Sequence, residues 1–190
     1  MIAESKQTQI LDIAEAIVRS RGYNAFSYAD IASEIGVSKA SLHHHFPTKS
    51  DLGLQLIVRF TDMFQGALQQ IDEHHKSGLI KLREYARLFE GSLEENKMCL
   101  CGMLAAEHET LVEPMQAAIN DYFKGHEKWI EAVLKSGKKN GELAYDGSAR
   151  KHGQLIVSNL QGALMIAKSK RSKEHMTVVA SQLIEIYRAR

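Results

Sequence analysis

Apolar side chains recur along this sequence with the spacing of amphipathic helices. The clearest stripe, near the start of the chain, consists of Ile10, Ile13, Ala14, Ile17 and Val18. No segment shows the alternation of apolar and polar residues that is typical of a half-buried strand, and the best short candidate, residues 143–145, is too brief. The pattern predicts an all-α protein with about nine helices.

Capping and turn residues divide the first part of the chain into separate helices. Gly22 is expected to end the first helix as a left-handed cap, and Ser27–Asp30 has the form of a capping box that starts a second helix. Gly36 ends that helix, and Ser38 begins a third. A second capping box, Thr48–Asp51, starts a long fourth helix.

Residues 27–46 fit the geometry of a helix-turn-helix. Ile31 and Ile35 share one helical face, while Leu42 and Phe46 lie four residues apart on the next helix and point back at it. Gly36 accepts the positive φ of a sharp turn. In such a motif the second helix lies in the major groove, so double-stranded DNA is the predicted partner. The alternative interpretation is a helical hairpin buried in a larger bundle.

The candidate DNA contacts lie on this second helix and at the neighbouring helix starts. They are Ser27, Tyr28, Ser38, Lys39, Ala40, Ser41, His43, His44, Thr48 and Lys49. Free backbone N–H groups at the start of the fourth helix suit a phosphate, and Lys49 adds positive charge there. Residues 1–50 contain five Lys or Arg and five Asp or Glu, so we expect DNA affinity to depend only modestly on salt.

The stretch from Ile10 to Leu56 resembles the TetR family of bacterial transcriptional regulators, most specifically in residues 42–49, Leu-His-His-His-Phe-Pro-Thr-Lys. The family usually has tyrosine directly after that leucine, and this tyrosine commonly contacts a phosphate. His43 stands there instead. A neutral histidine donates one hydrogen bond, which allows the contact to persist and makes it sensitive to pH.

The resemblance implies an all-α homodimer that binds a palindromic operator and is released by an effector, usually relieving repression. It implies a helix-turn-helix domain over residues 1–48 and an effector-binding and dimerisation domain over residues 49–190. The last two long helices are the expected dimer interface. They carry small residues (Gly153, Ser158, Gly162, Ala163, Ala167) and apolar ones (Val178, Leu183, Ile184, Ile186, Tyr187). The alternative is a monomer whose last helices cover its own core.

A cysteine-containing segment is the most specific feature of the second half. Residues 97–107 resemble the Cys-Leu-x-Gly-x-Leu-x-x-Glu segment of the NemR-like subgroup, some of whose members sense electrophiles or oxidants through cysteine. Cys99 matches that cysteine and is expected at a helix start, where the helix dipole stabilises a thiolate. The alternative is an inert, buried cysteine.

An apolar effector pocket is the other hypothesis for sensing. Besides Cys99, the candidate residues are Tyr85, Phe89, Met103, Tyr122, Phe123, His126 and Trp129. A sensor that responds to a partner protein instead of a small molecule is a third possibility.

Composition and motifs exclude several other classes of protein. The formal net charge is +1, so attraction to DNA has to come from a local face. The longest apolar run, residues 163–167, is far too short to span a membrane. No secretory signal is recognised at the start, and two cysteines two positions apart suit a reducing cytoplasm.

No enzyme, cofactor or metal is predicted. An enzyme with Cys99 as nucleophile and His108 as base is the rival class, but no catalytic motif accompanies these residues. The three consecutive histidines at 43–45 are expected to face DNA or the core. Cys99, Cys101 and His108 lack the spacing of a structural zinc site.

Overall fold

A computed structural model of the chain describes residues 5–94 and 96–189. Across these residues there are nine α-helices and one short 3₁₀ helix, which confirms the all-α prediction. The α-helices are α1 (Lys6–Arg21), α2 (Tyr28–Ile35), α3 (Lys39–His45), α4 (Lys49–His74), α5 (Gly78–Glu94), α6 (Leu100–Ala106), α7 (Glu113–Lys139), α8 (Ala149–Lys170) and α9 (Lys173–Glu185). The 3₁₀ helix, His108–Thr110, follows α6.

The first of two compact units comprises residues 5–62 and 99–120. Its core includes one face of α1, with Ile10, Ala14 and Val18 at most 1% exposed. Ile31 of α2 and Leu42 of α3 are fully buried, as the helix-turn-helix pattern predicts. These side chains hold the two short helices against each other, so the polar face of α3 is left outside.

The second compact unit comprises residues 63–98 and 121–189 among those described. It contains α5, α8, α9 and the larger part of α7. A Cβ atom added to Gly153 would lie 2.9 Å from the Glu127 carbonyl oxygen, so this glycine permits close packing of α8 on α7. Among the described helices, none combines the length and the apolar character needed to cross a bilayer.

Two local expectations are corrected. Gly22 has φ of 95° and ψ of 163°, outside the left-handed helical region, because the chain leaves α1 extended toward Glu107, which binds the next two backbone N–H groups. The helical pattern also predicts a last helix from about Ser172 to Arg190, and Arg190 lies outside the described residues. The last helix, α9, ends at Glu185, since the following backbone pairs with residues 142–144 and forms an isolated bridge between Leu143 and Arg188.

Candidate functional site

The corner between α2 and α3 is set by backbone geometry and one side-chain cap. Gly36 adopts the left-handed conformation, with φ of 75° and ψ of 36°, where a side chain would be strained. The N–H groups of Gly36 and Val37 both donate to the Ala32 carbonyl at 3.0 Å. The Ser38 hydroxyl accepts from the Ser41 N–H at 3.2 Å and starts α3. The predicted caps are therefore present.

Two capping boxes start the helices on either side of α3. The Ser27 N–H donates to Asp30 Oδ2 at 2.6 Å at the start of α2, and these hydrogen bonds lower the pKa of Asp30. The Thr48 N–H donates to Asp51 Oδ2 at 2.9 Å before α4. The Asp51 carboxylate thus already occupies the position that a phosphate was expected to take at Thr48.

The outward face of α3 is polar and short. Leu42 is buried, whereas Lys39, Ala40, His43 and His44 are exposed. Ser27, Ser38 and Thr48 are also exposed, and Ser41 is half-buried. Small and polar side chains on one face allow a helix to approach base edges closely.

His43 is held at the end of α3 by a backbone carbonyl. Its Nδ1 lies 3.0 Å from the Pro47 oxygen, and its ring centroid lies 4.7 Å from that of Tyr28. A carbonyl oxygen only accepts hydrogen bonds, so Nδ1 carries the proton. In the neutral ring Nε2 is then an acceptor, and it becomes a donor to phosphate only when the ring is protonated.

Two of the predicted DNA contacts point inward. The Tyr28 hydroxyl lies 2.8 Å from the Phe46 carbonyl oxygen and 2.6 Å from that of Thr48, and burial raises the pKa of Tyr28 to about 12. The Lys49 ammonium donates to the Phe26 carbonyl at 2.6 Å. It does not extend into solvent toward a phosphate.

An aromatic cluster fills part of the second unit. It consists of Phe64, Tyr85, Phe89, Tyr122, His126 and Trp129. Phe64 is central, with its ring centroid 4.4 Å from that of His126. The structure therefore brings together five of the predicted effector residues. Phe64 was not among them, although the spacing of Phe60, Phe64 and Leu68 marks one inner face of α4.

A hydrogen-bonded pair gives the aromatic cluster its polar centre. The Tyr85 hydroxyl lies 2.9 Å from His126 Nδ1, and both side chains are buried. Burial lowers the pKa of His126 to about 4, so the imidazole is neutral at physiological pH. At the edge of the aromatic cluster, Trp129 stacks on Tyr85 and donates from Nε1 to an Asp72 carboxylate oxygen at 2.8 Å.

The other predicted effector residues lie outside the aromatic cluster. Phe123 is half-buried, and its ring centroid lies 5.2 Å from that of Tyr122. Cys99 and Met103 belong to the first unit.

The two cysteines lie where the sequence suggested but are inaccessible. Cys99 is the N-cap residue of α6, as expected, yet only 3% of its surface is exposed. Cys101 is fully buried, and burial raises the pKa of its thiol. An accessible thiol was expected at Cys99, and in this conformation packing removes that access.

The residues expected at the dimer interface divide into two groups. Gly153, Ala163, Ala167, Leu183, Ile184 and Tyr187 are buried within the chain itself. Ser158, Val178 and Ile186 are exposed, and Gly162 is half-buried. Large apolar side chains at least 46% exposed on α8 and α9 are Leu155, Met165, Ile166 and Val178, and Ile186, the C-cap residue of α9, is also exposed.

Over the described part of the chain, no three His, Cys, Asp or Glu side chains are grouped in a way that could hold a metal ion.

Two family models match most of the chain. A model of bacterial regulatory proteins of the tetR family matches residues 10–56. The model of the LmrA/YxaF-like C-terminal domain of transcriptional regulators matches residues 81–182.

The similar proteins are transcriptional regulators. YxaF of Bacillus subtilis, an uncharacterized regulator of the helix-turn-helix type, is 24% identical over 92% of this chain and 91% of its own. The repressor NemR of Escherichia coli is 24% identical over 87% of this chain and 85% of its own. A crystal structure of a TetR family regulator from Agrobacterium tumefaciens superposes with a TM-score of 0.94 at 30% identity, covering 97% of this chain and 98% of that one.

Proposed function

We propose that this chain, which belongs to the TetR family of bacterial transcriptional regulators, is a repressor that is released from a palindromic operator by a small molecule, an electrophile or an oxidant. Regulators of this family bind operator DNA as dimers and are not enzymes. The rival interpretation of Cys99 and His108 as catalytic residues is therefore set aside. We assign residues 1–48 to DNA binding and residues 49–190 to sensing and dimerisation. We place the protein in the cytoplasm.

The observation that carries the DNA-binding assignment is the exposed polar face of α3. We assign base contacts to Lys39, Ala40 and His44, because all three lie on that face. Hydroxyl groups at the start of α3 suit phosphates, and we assign these contacts to Ser38 and Ser41. We assign no phosphate to Ser27 or Thr48, because their hydroxyls donate to the capping carboxylates of Asp30 and Asp51 at 2.8 Å. Tyr28 and Lys49 instead support α3 from within, since their polar ends bind backbone carbonyls.

Selection of duplexes from a random pool tests this assignment. A dimer that reads two half-sites selects an inverted repeat with half-site centres about one helical turn apart. In cells, a promoter that carries the selected repeat is expected to be silenced by the protein. Selection of a single unrepeated site, or activation of that promoter, would contradict the proposal.

We assign a noncovalent effector to the aromatic cluster. Aromatic walls around a small number of polar groups are typical of sites for small organic molecules. Here the polar group is the Tyr85–His126 pair, and its neutral imidazole favours an uncharged ligand. Opening this site requires rings of the aromatic cluster to move apart, which couples binding to a change in conformation.

Trp129 makes this assignment measurable. It is the one tryptophan in the sequence and stacks on Tyr85 with ring centroids 5.6 Å apart. Titration with a panel of phenols and quinones is expected to change its fluorescence and release the selected duplex at the same concentrations. Tyr85→Phe weakens that response, whereas Tyr145→Phe, outside the aromatic cluster, leaves it intact. Release without a fluorescence change would contradict the assignment.

The second candidate signal is an electrophile that reacts at Cys99. The position of Cys99 at the start of α6 favours this signal. Because the Cys99 side chain is buried, a local opening has to precede the reaction. N-ethylmaleimide is expected to weaken DNA binding by the wild type and to have no such effect on Cys99→Ser. If both cysteines are alkylated and DNA affinity is unchanged, this route is eliminated.

We assign the homodimer interface to the exposed apolar side chains of α8 and α9. A second copy of the chain is the occupant that a symmetric operator requires. Leu155→Glu places a charge among these side chains and is expected to shift the sedimentation of the protein from dimer to monomer. Met63→Glu is the control, since Met63 is similarly exposed, at 54%, on α4. Equal sedimentation of both variants would contradict the interface.

A further inference from the structure

The loop between α1 and α2 is held by an acidic side chain from the end of α6. Oε2 of Glu107, the C-cap residue of α6, accepts hydrogen bonds from the backbone N–H groups of Tyr23 at 2.9 Å and Asn24 at 3.1 Å. Asn24 adds a bond from Nδ2 to Thr110 Oγ1 at 2.9 Å. Bonds to a charged acceptor are stronger than neutral ones.

The backbone at Gly22 is shaped to admit this carboxylate. A Cβ atom added to Gly22 would lie 2.5 Å from Glu107 Oε1, which is closer than side-chain atoms tolerate. A residue with a side chain at this position would push the carboxylate away from the Tyr23 and Asn24 N–H groups. The glycine and the acidic residue therefore form one arrangement.

A cation holds the other end of the same loop. The Lys49 ammonium donates to the Phe26 carbonyl at 2.6 Å and lies 4.5 Å and 4.3 Å from the ring centroids of Tyr23 and Phe26. The charge of Glu107 also acts on Lys49, where it opposes the lowering of the pKa by burial. The loop is thus fixed at its start by an anion and at its end by a cation.

We propose that Glu107 is a positioning residue for DNA binding. The clamped loop, residues 22–26, leads directly into Ser27, the N-cap residue of α2. Because both ends of the loop are fixed, its backbone cannot shift freely. The Glu107 carboxylate therefore sets the angle at which α2 and α3 are presented to DNA. Glu107 acts through this backbone and is not itself assigned a DNA contact. The inference rests on the proposed role of α3.

Glu107 is the last residue of the cysteine-containing segment, residues 97–107, and neither sensing hypothesis assigns it a role. Cys99 begins α6 and Glu107 ends it, so the seven-residue helix joins the candidate thiol to the clamp.

Two substitutions at Glu107 and one neighbouring control test the proposal on the duplex selected by the wild type. Glu107→Ala removes the acceptor and is expected to weaken binding at least about tenfold, the effect of losing charged hydrogen bonds. Glu107→Gln keeps one acceptor oxygen and restores most of the affinity. Glu109→Ala is the matched control, because the Glu109 side chain is 98% exposed, and it leaves binding unchanged.

A second measurement separates positioning from general stability. Hydrogen exchange of the Tyr23 and Asn24 amides, followed by NMR in the full chain, is expected to accelerate in Glu107→Ala and to stay close to the wild-type rate in Glu107→Gln. Arg59→Met removes the ion pairs from α4 to Asp12 and Glu15 in the same unit. It lowers the unfolding temperature without touching the loop and is expected to retain DNA affinity.

The inference is overturned if Glu107→Ala binds the selected duplex as tightly as the wild type. It is equally overturned if Arg59→Met, at the same loss of thermal stability, weakens binding as much. Failure of the proposed function is recognised separately, because the wild type then selects no repeated duplex. Amide exchange in that case still reports whether Glu107 holds the loop, and unchanged exchange in Glu107→Ala rejects the clamp.

Discussion

The helix-turn-helix and the aromatic cluster are held together in different ways. The first is built from caps and turns within twenty consecutive residues, such as the Ser27–Asp30 capping box and the left-handed Gly36. The second joins side chains that lie far apart along the chain, from Phe64 to Trp129. A region defined by local hydrogen bonds is rigid without a large core, whereas a region defined by ring packing is rigid only while it stays filled.

Two histidines illustrate this difference. His43 is exposed, and its Nδ1 donates to the Pro47 carbonyl oxygen at 3.0 Å. His126 is buried, and protonation places a charge among aromatic rings. Acid is therefore expected to destabilise the region around His126.

The largest expected effect is the loss of the central ring of the aromatic cluster. Phe64→Ala leaves a cavity beneath the rings of Tyr85, Tyr122 and His126, and it is expected to lower the free energy of unfolding by about 3–5 kcal/mol. Denaturant titration measures this loss. Met63→Ala, at the exposed neighbouring position, is expected to change stability little. Equal effects would show that packing around Phe64 is not special.

The next effect concerns the pH dependence of stability. The folded protein keeps His126 unprotonated down to about pH 4, whereas the unfolded chain takes up this proton near the ordinary pKa of 6.5. The contribution of His126 to the free energy of unfolding is therefore complete above pH 6.5. It is lost as the pH falls toward 4, by about 3 kcal/mol in total. His126→Gln should lose less stability over the same range when unfolding is measured at each pH. A parallel decline would contradict the assignment.

A smaller effect is expected at the corner of the helix-turn-helix. Gly36→Ala forces a side chain into the left-handed conformation and is expected to cost about 1 kcal/mol, although no atom lies within 4 Å of the new Cβ. Gly66→Ala, also in open space but inside α4, is expected to increase stability. Thermal unfolding of both variants decides whether backbone conformation, and not packing, sets the corner.

The helix-turn-helix could be predicted in detail from the sequence because its signals are local. The capping boxes, the Gly36 turn and the buried faces of α2 and α3 each depend on residues at most a few positions apart. The direction of the Lys49 side chain depends instead on the Tyr23 and Phe26 rings, more than twenty residues away. Its inward position therefore could not be predicted from the start of α4 alone.

For the second half of the chain, the helical pattern predicts which side chains face inward but not which segments they contact. Tyr85, Phe89, Tyr122, His126 and Trp129 meet in the aromatic cluster, since each lies on the buried side or edge of a long helix. The burial of Cys99 and the role of Glu107 depend on how α6 packs on other segments. Periodicity identifies a helical face and does not identify its partner.

The most direct test of DNA recognition by α3 is a selection from a random duplex pool with the wild type and His44→Ala in parallel. His44 is exposed on the outward face of α3 and has no assigned role in holding the fold. The ranking of selected sites is expected to change in the variant at matching positions of both half-sites. A ranking that is identical in the two proteins would contradict base recognition through this face.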